Sequence, residues 1–122
     1  MIQGVEHTAL ASPDPEKLAQ WYVDRLGFAV VYNSPKSKTT FVKAPNGAML
    51  EIVMSNGAPR PAQQLRDIGI RHLAISVTDF DAVYGDLKAK GVAFLTEPET
   101  NKGVRVVFFS DPDRALRRAL GN

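Results

Sequence analysis

The chain contains two copies of one sequence pattern, and this internal repeat is the feature that most limits its possible folds. The segments EHTALASPDPEKLAQWYVDRLGF and RHLAISVTDFDAVYGDLKAKGVAF both contain a histidine in an alternating stretch, then an aspartate, then a helical pattern that ends at a glycine. His7 matches His72 and Asp14 matches Asp79, each pair 65 residues apart. A repeat of this length indicates one structural module used twice, so we expect two equivalent modules.

The repeat continues through the second half of each copy. FVKAPNGAMLEIV matches FFSDPDRALRRAL, with Phe41 on Phe108 at a separation of 67 residues. At this separation Glu51 matches Arg118, so a carboxylate in the first copy is replaced by a guanidinium in the second. We therefore predict that the two modules differ chemically at this position.

Periodicity and turn residues predict the same order of elements in both copies. Residues 4–10 and 70–77 alternate as strands do, whereas residues 15–26 and 80–90 have apolar side chains at helical spacing. Stretches rich in β-branched and aromatic residues follow each helix and are separated by turn-forming residues. The sequence therefore predicts an α+β fold made of two βαβββ modules.

The two predicted modules form a single domain. They occupy residues 1–56 and 69–122, and a connector rich in Gly, Pro and polar residues joins them at 57–68. The final segment RALRRAL departs from the strand pattern, because it consists of strong helix formers behind an Asp-Pro-Asp cap signal. We predict a short C-terminal helix in place of the last strand, with a degenerate strand as the alternative.

Composition excludes several classes of site and of protein. The 122 residues suit one domain, and without cysteine any metal must be bound by nitrogen or oxygen atoms. No stretch approaches the ~18 apolar residues of a membrane span, and the N-terminus has no signal-peptide pattern. A net charge of +2 is small for a nucleic-acid-binding protein. We expect a cytoplasmic protein that binds a small molecule and neither a membrane nor nucleic acid.

Three side chains are candidate metal ligands. His7 and His72 each lie on the strand face that carries the smaller residues, which leaves room for a ligand. Glu51 lies on the opposite face of its strand from Leu50 and Ile52, and a carboxylate there requires a compensating cation or water. Each residue alone is typical of an ordinary strand. Together, two imidazoles and one carboxylate suit Zn, Ni, Co, Mn or Fe(II) and leave coordination positions open.

This duplicated module, with a histidine in the first strand of each copy and a glutamate in the fourth strand, resembles the vicinal oxygen chelate superfamily. That superfamily includes glyoxalase I, extradiol dioxygenases, methylmalonyl-CoA epimerase, and fosfomycin and bleomycin resistance proteins. The most specific pieces of the resemblance are EHTALASPDPEKLAQWYVDRLGF, NGAMLEI, IRHLAISVTDFDAV and FFSDPD. The resemblance implies that each module curls its sheet into a half-barrel and that paired modules enclose a metal.

The resemblance also implies a ligand set, and the chain departs from it at one position. His7 and Glu51 would come from the first module and His72 from the second. The family's fourth ligand is normally a glutamate that follows an FxDPDGN turn, where this chain has Arg114 for the glycine and Arg118 for the glutamate. An arginine at that position would repel a divalent cation or bind an anionic group of the substrate.

Three functions follow from the resemblance. The first is a metal-dependent lyase or isomerase of the glyoxalase I kind, whose catalytic base is unknown because relatives use the missing glutamate. An extradiol-type dioxygenase or a thiol transferase ranks lower, because both depend more heavily on that glutamate. A metal-free protein that binds a small molecule, as bleomycin resistance proteins do, is the third. We also expect a homodimer, because an incomplete half-barrel leaves an open sheet edge that a second copy can cover.

Overall fold

The structure, a computed structural model that describes residues 1–113 and 117–121, divides into two units, Met1–Pro59 and Arg60–Asn122. The boundary lies inside the connector predicted at residues 57–68. In its described part, each unit contains one sheet and one helix. The predicted α+β class and the two-module architecture are therefore confirmed.

The sheet of the first unit brings its first and last strands together. The elements are β1 (His7–Ser12), α1 (Pro15–Leu26), β2 (Ala29–Ser34), β3 (Thr39–Lys43) and β4 (Met49–Met54). The order across the sheet is β1-β4-β3-β2, with β1 parallel to β4 and the other neighbours antiparallel. The start of the unit therefore lies beside its last strand, although β2 and β3 separate them along the chain.

Helix α1 begins and ends at residues that suit its termini. The Asp14 carboxylate accepts a hydrogen bond from the backbone N–H of Lys17 at 3.1 Å, which satisfies one free donor of the first turn. Gly27 ends the helix with φ +73°, a left-handed conformation that favours glycine. The helix buries Leu18 and Tyr22, at 2% and 0% exposure, and contacts β3 and β4.

Strand alternation divides the first sheet into two faces. On β4, Leu50 and Ile52 are 4% and 0% exposed, whereas Met49, Glu51 and Val53 are half-buried. Because successive side chains of a strand point to opposite faces, Glu51 lies on the face away from the core. One face therefore supplies the core and the other is available for a site.

The second unit repeats this arrangement with one additional strand. Its elements are β5 (His72–Ser76), α2 (Phe80–Ala89), β6 (Ala93–Phe94), β7 (Glu99–Asn101), β8 (Val104–Ser110) and β9 (Arg117–Gly121). The order is β5-β9-β8-β6, with β5 parallel to β9 and β7 paired to β8. Asp79 begins α2 by accepting the N–H of Ala82 at 3.2 Å, as Asp14 does in the first unit. Over the described residues, no helix has both the length and the apolar character needed to cross a membrane.

The C-terminal segment forms a strand, so the predicted short helix is wrong. Strand β9 pairs with β5 on one side and β8 on the other, and Leu120 is 1% exposed between them. Intrinsic preferences span only ~1 kcal/mol per residue, so two rows of backbone hydrogen bonds and burial outweigh the helix propensity of residues 117–120. The degenerate last strand considered as the alternative is what the structure has.

Two glycine substitutions, one at the end of α1 and one inside α2, should change stability in opposite directions. We expect Gly27→Ala to destabilise the protein by about 1 kcal/mol, because its φ of +73° strains any residue with a Cβ although that Cβ would contact nothing within 4 Å. Gly85→Ala, in the interior of α2 with open space around its Cβ, should stabilise by about 0.5–1 kcal/mol. Urea unfolding followed by circular dichroism measures both. Equal or greater stability of Gly27→Ala would contradict the assigned helix end.

Candidate metal centre

The parallel pairing of β1 with β4 brings two of the predicted ligands into contact. In the register of this pair, His7 lies opposite Met49 and Ala9 lies opposite Glu51. The His7 Nε2 atom is 3.5 Å from the Glu51 Oε1 atom, and the two side chains are 33% and 27% exposed. A histidine at the edge of the sheet and a glutamate 44 residues later in the chain therefore share one open face.

A second carboxylate determines which nitrogen of His7 carries the hydrogen. The His7 Nδ1 atom lies 3.0 Å from Glu6 Oε2. Since a carboxylate only accepts hydrogen bonds, Nδ1 is the donor in this contact. In the neutral imidazole the Nε2 atom then has a free lone pair, and that lone pair is directed to the side of Glu51. Sequence analysis did not select Glu6, and no repeat or spacing distinguished it.

The contact between His7 and Glu51 is suited to a cation. The neutral Nε2 atom and a carboxylate oxygen are both electron-pair donors, so their approach to 3.5 Å is favourable only if a proton or a metal ion lies between them. Two ligand atoms held at ~2.1 Å from a tetrahedral metal are about 3.4 Å apart. Imidazole nitrogen and carboxylate oxygen are also a donor pair that Zn and neighbouring divalent ions accept. The pair therefore fits two positions of a divalent metal site.

Aromatic side chains extend the site along the same face. Phe41 lies opposite Glu51 in the β3–β4 register, and its ring centroid is 5.3 Å from that of His7 at an interplanar angle of 73°. Tyr32 lies opposite Phe41 on β2, with ring centroids 6.0 Å apart. This aromatic row borders a concavity of about 510 Å³ that Glu51 also lines. One sequence feature indicates it, because Phe41 and Phe108 match in the repeat.

The second unit reproduces the histidine and its aromatic neighbour. The ring centroids of His72 and Phe108 are 5.4 Å apart at an interplanar angle of 79°, close to the geometry of His7 with Phe41. His72 begins β5 as His7 begins β1. The two units therefore share the same histidine position and the same edge-to-face contact.

The second unit has no carboxylate at the position that Glu51 occupies in the first unit. The strand pairing also places a different residue there from the one that the sequence repeat predicted. Glu51 lies opposite Ala9 and Phe41 in the first unit, and the corresponding partners in the second unit lie opposite Ala119. The match of Glu51 with Arg118 is therefore corrected to Ala119. The cause is a difference in sequence length: six residues, 111–116, separate β8 from β9, whereas five residues, 44–48, separate β3 from β4.

An alanine at position 119 offers no ligand atom, so the second unit has a histidine without the acid. The backbone of Arg118 belongs to β9, but its side chain lies outside the described part of the structure. Its predicted contact with an anionic group therefore stays a prediction. Within neither unit do the described residues gather three or more His, Cys, Asp or Glu side chains as a metal site. The observed pair is His7 with Glu51, and His72 belongs to the other unit.

Comparisons with known proteins agree with the fold and with its duplicated module. A family model described as the Glyoxalase/Bleomycin resistance protein/Dioxygenase superfamily matches residues 4–116. Uncharacterized protein YwkD of Bacillus subtilis (strain 168) is 32% identical over 122 residues, which cover 93% of this chain and 93% of that protein.

Solved structures of similar proteins cover almost the whole chain. The glyoxalase family protein from Enterococcus faecalis has a TM-score of 0.80 at 25% identity and covers 98% of both chains. Oxidase ChaP-H2 has a TM-score of 0.76 at 26% identity and covers 100% of this chain and 94% of its own. With a family model over residues 4–116 and a relative 32% identical along 93% of its length, the chain belongs to the Glyoxalase/Bleomycin resistance protein/Dioxygenase superfamily.

Proposed function

We propose that the protein is a metal-dependent lyase or isomerase that acts on a small substrate with two adjacent oxygen atoms. The observation that carries this proposal is the 3.5 Å contact between His7 Nε2 and Glu51 Oε1 on an open sheet face. A neutral imidazole and a carboxylate at this distance can share a metal ion, whereas a protonated imidazole would fill the same space without one. Membership of the superfamily supports the same reading, because many of its members use a divalent ion.

In this proposal the metal ligands are His7, Glu51 and His72, and the ion is Zn, Ni, Co, Mn or Fe(II). Such an ion, when bound, would withdraw charge from two adjacent oxygens of the substrate. Glu6 orients the His7 ring by accepting its Nδ1 hydrogen, in the manner of outer-shell carboxylates that fix a histidine ligand. Three protein ligands leave positions open for both substrate oxygens. The catalytic base is not among the residues assigned here.

A metal-free protein that binds a small molecule is the second candidate. The observation that favours it is the alanine at position 119, opposite Phe108, where the first unit has Glu51. In that case a proton would occupy the space between His7 and Glu51, and the cavity would hold its ligand by packing alone. A dioxygenase is the remaining alternative, supported by the description of the superfamily, which includes dioxygenases.

We also propose that the protein is a cytoplasmic homodimer. In the first unit β1 has a single neighbour, so its other edge is open within that sheet. Apolar side chains in the connector and just after it are also exposed, with Leu65, Ile68 and Ile70 at 58%, 103% and 68%. A second copy that covered such surfaces would remove their contact with water.

Removal of either observed ligand tests the metal proposal. We expect the purified protein to bind Zn, Ni, Mn or Fe(II) stoichiometrically under anaerobic conditions. His7→Ala and Glu51→Gln should each weaken binding by more than about 100-fold, beyond the ~10–100-fold effect of outer-shell partners. Glu99→Gln, a carboxylate on the exposed strand β7, is the matched control and should bind as the unaltered protein does. Calorimetric titration and elemental analysis measure binding; absence of any stoichiometric ion would favour the metal-free candidate.

The contribution of the second unit is tested separately. If His72 is the third ligand, His72→Ala should lower metal affinity as strongly as His7→Ala, because a lost imidazole removes the same type of donor. Circular dichroism checks that both variants keep the fold. Unchanged affinity in His72→Ala would restrict the metal to the first unit and remove His72 from the proposal.

The register of β9 predicts which substitution restores the missing acid. Ala119 occupies the register position of Glu51, so Ala119→Glu should raise metal affinity by at least about tenfold, the scale of a modest change in coordination. Arg118→Glu places a carboxylate one residue away and should raise affinity less, although it lowers the net charge by two and Ala119→Glu lowers it by one. The same titrations compare them. A larger gain in Arg118→Glu would contradict the one-residue shift.

A further inference from the structure

We infer that the cavity beside Glu51 accepts a neutral apolar or aromatic group, so the substrate is an aryl or alkyl compound that carries no charge beyond its two adjacent oxygens. This inference rests on the proposed function and specifies its substrate class. It excludes substrates that place an anionic chain, such as the carboxylates of a thiol tripeptide, against the first unit. Three properties of the cavity support it: its apolar walls, its aromatic row and the position of its charges.

The walls of the cavity are mostly apolar. The concavity of about 510 Å³ has the size of a small-molecule site. Its apolar lining consists of Val31, Tyr32, Phe41 and Met49. Such walls gain free energy when they cover an apolar group and lose it when they cover a charge.

The aromatic row offers a defined contact for a ring. Tyr32 is 55% exposed, and its ring meets that of Phe41 edge to face with an interplanar angle of 80°. The next ring in the row is that of His7, the proposed metal ligand, at 5.3 Å from Phe41. A ring attached to two chelating oxygens could therefore contact Phe41 and Tyr32 while its oxygens lie near His7. Each aromatic contact of this kind raises affinity by roughly threefold to tenfold.

Charges on this face do not suit an anion. Glu51 is the charged member of the cavity lining, and the described lining includes neither lysine nor arginine. Lys43 lies on the same face, opposite Met49. Its side chain extends to the β3–β4 turn, where its Cε atom lies 4.0 Å from the position that a Cβ on Gly47 would take. Lys38 lines a different cavity, near the start of α1. A carboxylate against this wall would lose water without a lysine or arginine of the described lining as its partner.

Two hydroxyl groups permit an uncharged polar substituent. Ser37 and Thr39 line the cavity, and the Ser37 hydroxyl donates to Thr39 Oγ1 at 3.2 Å. A hydroxyl can both donate and accept, so this pair can accommodate a phenol or a carbonyl without a charge. The lining therefore selects against charge and not against polarity.

Three hydroxamates that differ in one group at a time test the inference on the metal-loaded protein. Each binds a metal through two adjacent oxygens: acetohydroxamate carries a methyl group, benzohydroxamate a phenyl ring, and 4-carboxybenzohydroxamate the same ring with a carboxylate. Calorimetry measures the affinity of each compound for the metal-loaded protein. Each value is divided by the affinity of the same compound for the free ion, so that only the contribution of the protein is compared. We expect benzohydroxamate to bind about tenfold more tightly than acetohydroxamate. The added carboxylate should weaken binding by about tenfold or more.

One substitution and one control locate the ring. Tyr32→Ala should reduce the advantage of benzohydroxamate over acetohydroxamate by at least about threefold, because it removes one aromatic contact. Val30→Ala, at a residue of the same strand that is 50% exposed and outside the cavity lining, should keep that advantage. Both residues are exposed, so neither change removes a core contact.

The outcomes separate this inference from the proposed function. Equal binding of acetohydroxamate and benzohydroxamate would overturn the aromatic cavity, and tighter binding of the carboxylated compound would overturn the neutral substrate and favour Arg118 as an anion ligand. In both cases metal binding itself, and with it the proposed function, would stand. Failure of every compound to bind, together with failure to bind a metal, would overturn both proposals.

Discussion

The parallel pairing of β1 with β4 is the constraint on which the rest of the first unit depends. It is the pairing that brings the Nε2 atom of His7 within 3.5 Å of Glu51, and it requires β2 and β3 to fill the remainder of the sheet. The same strands bury Leu50 and Ile52 on the opposite face. Because side chains alternate along a strand, a shift of one residue would bury the carboxylate and expose the core. The core and the site are therefore fixed by one register.

The second unit shows how one additional residue before the last strand changes the residue at the site position. Its histidine and phenylalanine keep the geometry of the first unit, with His72 and Phe108 rings 5.4 Å apart. One additional residue before β9 moves the backbone position opposite Phe108 from residue 118 to Ala119. Burial of Leu120 satisfies the core with this register, so the fold tolerates the shift. What changes is the chemistry of the open face, where an alanine has no donor atom.

Much of the fold was predictable from the sequence, because it depends on periodicity and on local signals. Alternation assigned Glu51 to the open face, and Asp14 and Gly27 marked the ends of α1. The last strand was not predictable, because RALRRAL has helix propensity and only the two neighbouring strands make residues 117–120 of it extended. For the site, the repeat pointed to His7, and strand alternation together with the family resemblance pointed to Glu51. It did not identify Glu6, whose role depends on a side-chain contact that leaves no pattern in the sequence.

The charge balance of the proposed site connects the lost acid to the inferred substrate. A divalent ion held by one carboxylate and two neutral imidazoles keeps a net charge of about +1, whereas a second carboxylate would bring it to about zero. A residual positive charge at the open positions favours a substrate whose two oxygens carry one negative charge. The apolar wall formed by Val31, Tyr32 and Phe41 disfavours any further charge on the rest of the molecule. A compound with one negative charge shared by its two oxygens, and with no other charge, matches both the residual charge of the ion and the apolar wall. The alanine at 119 and the aromatic row therefore favour the same class of compound.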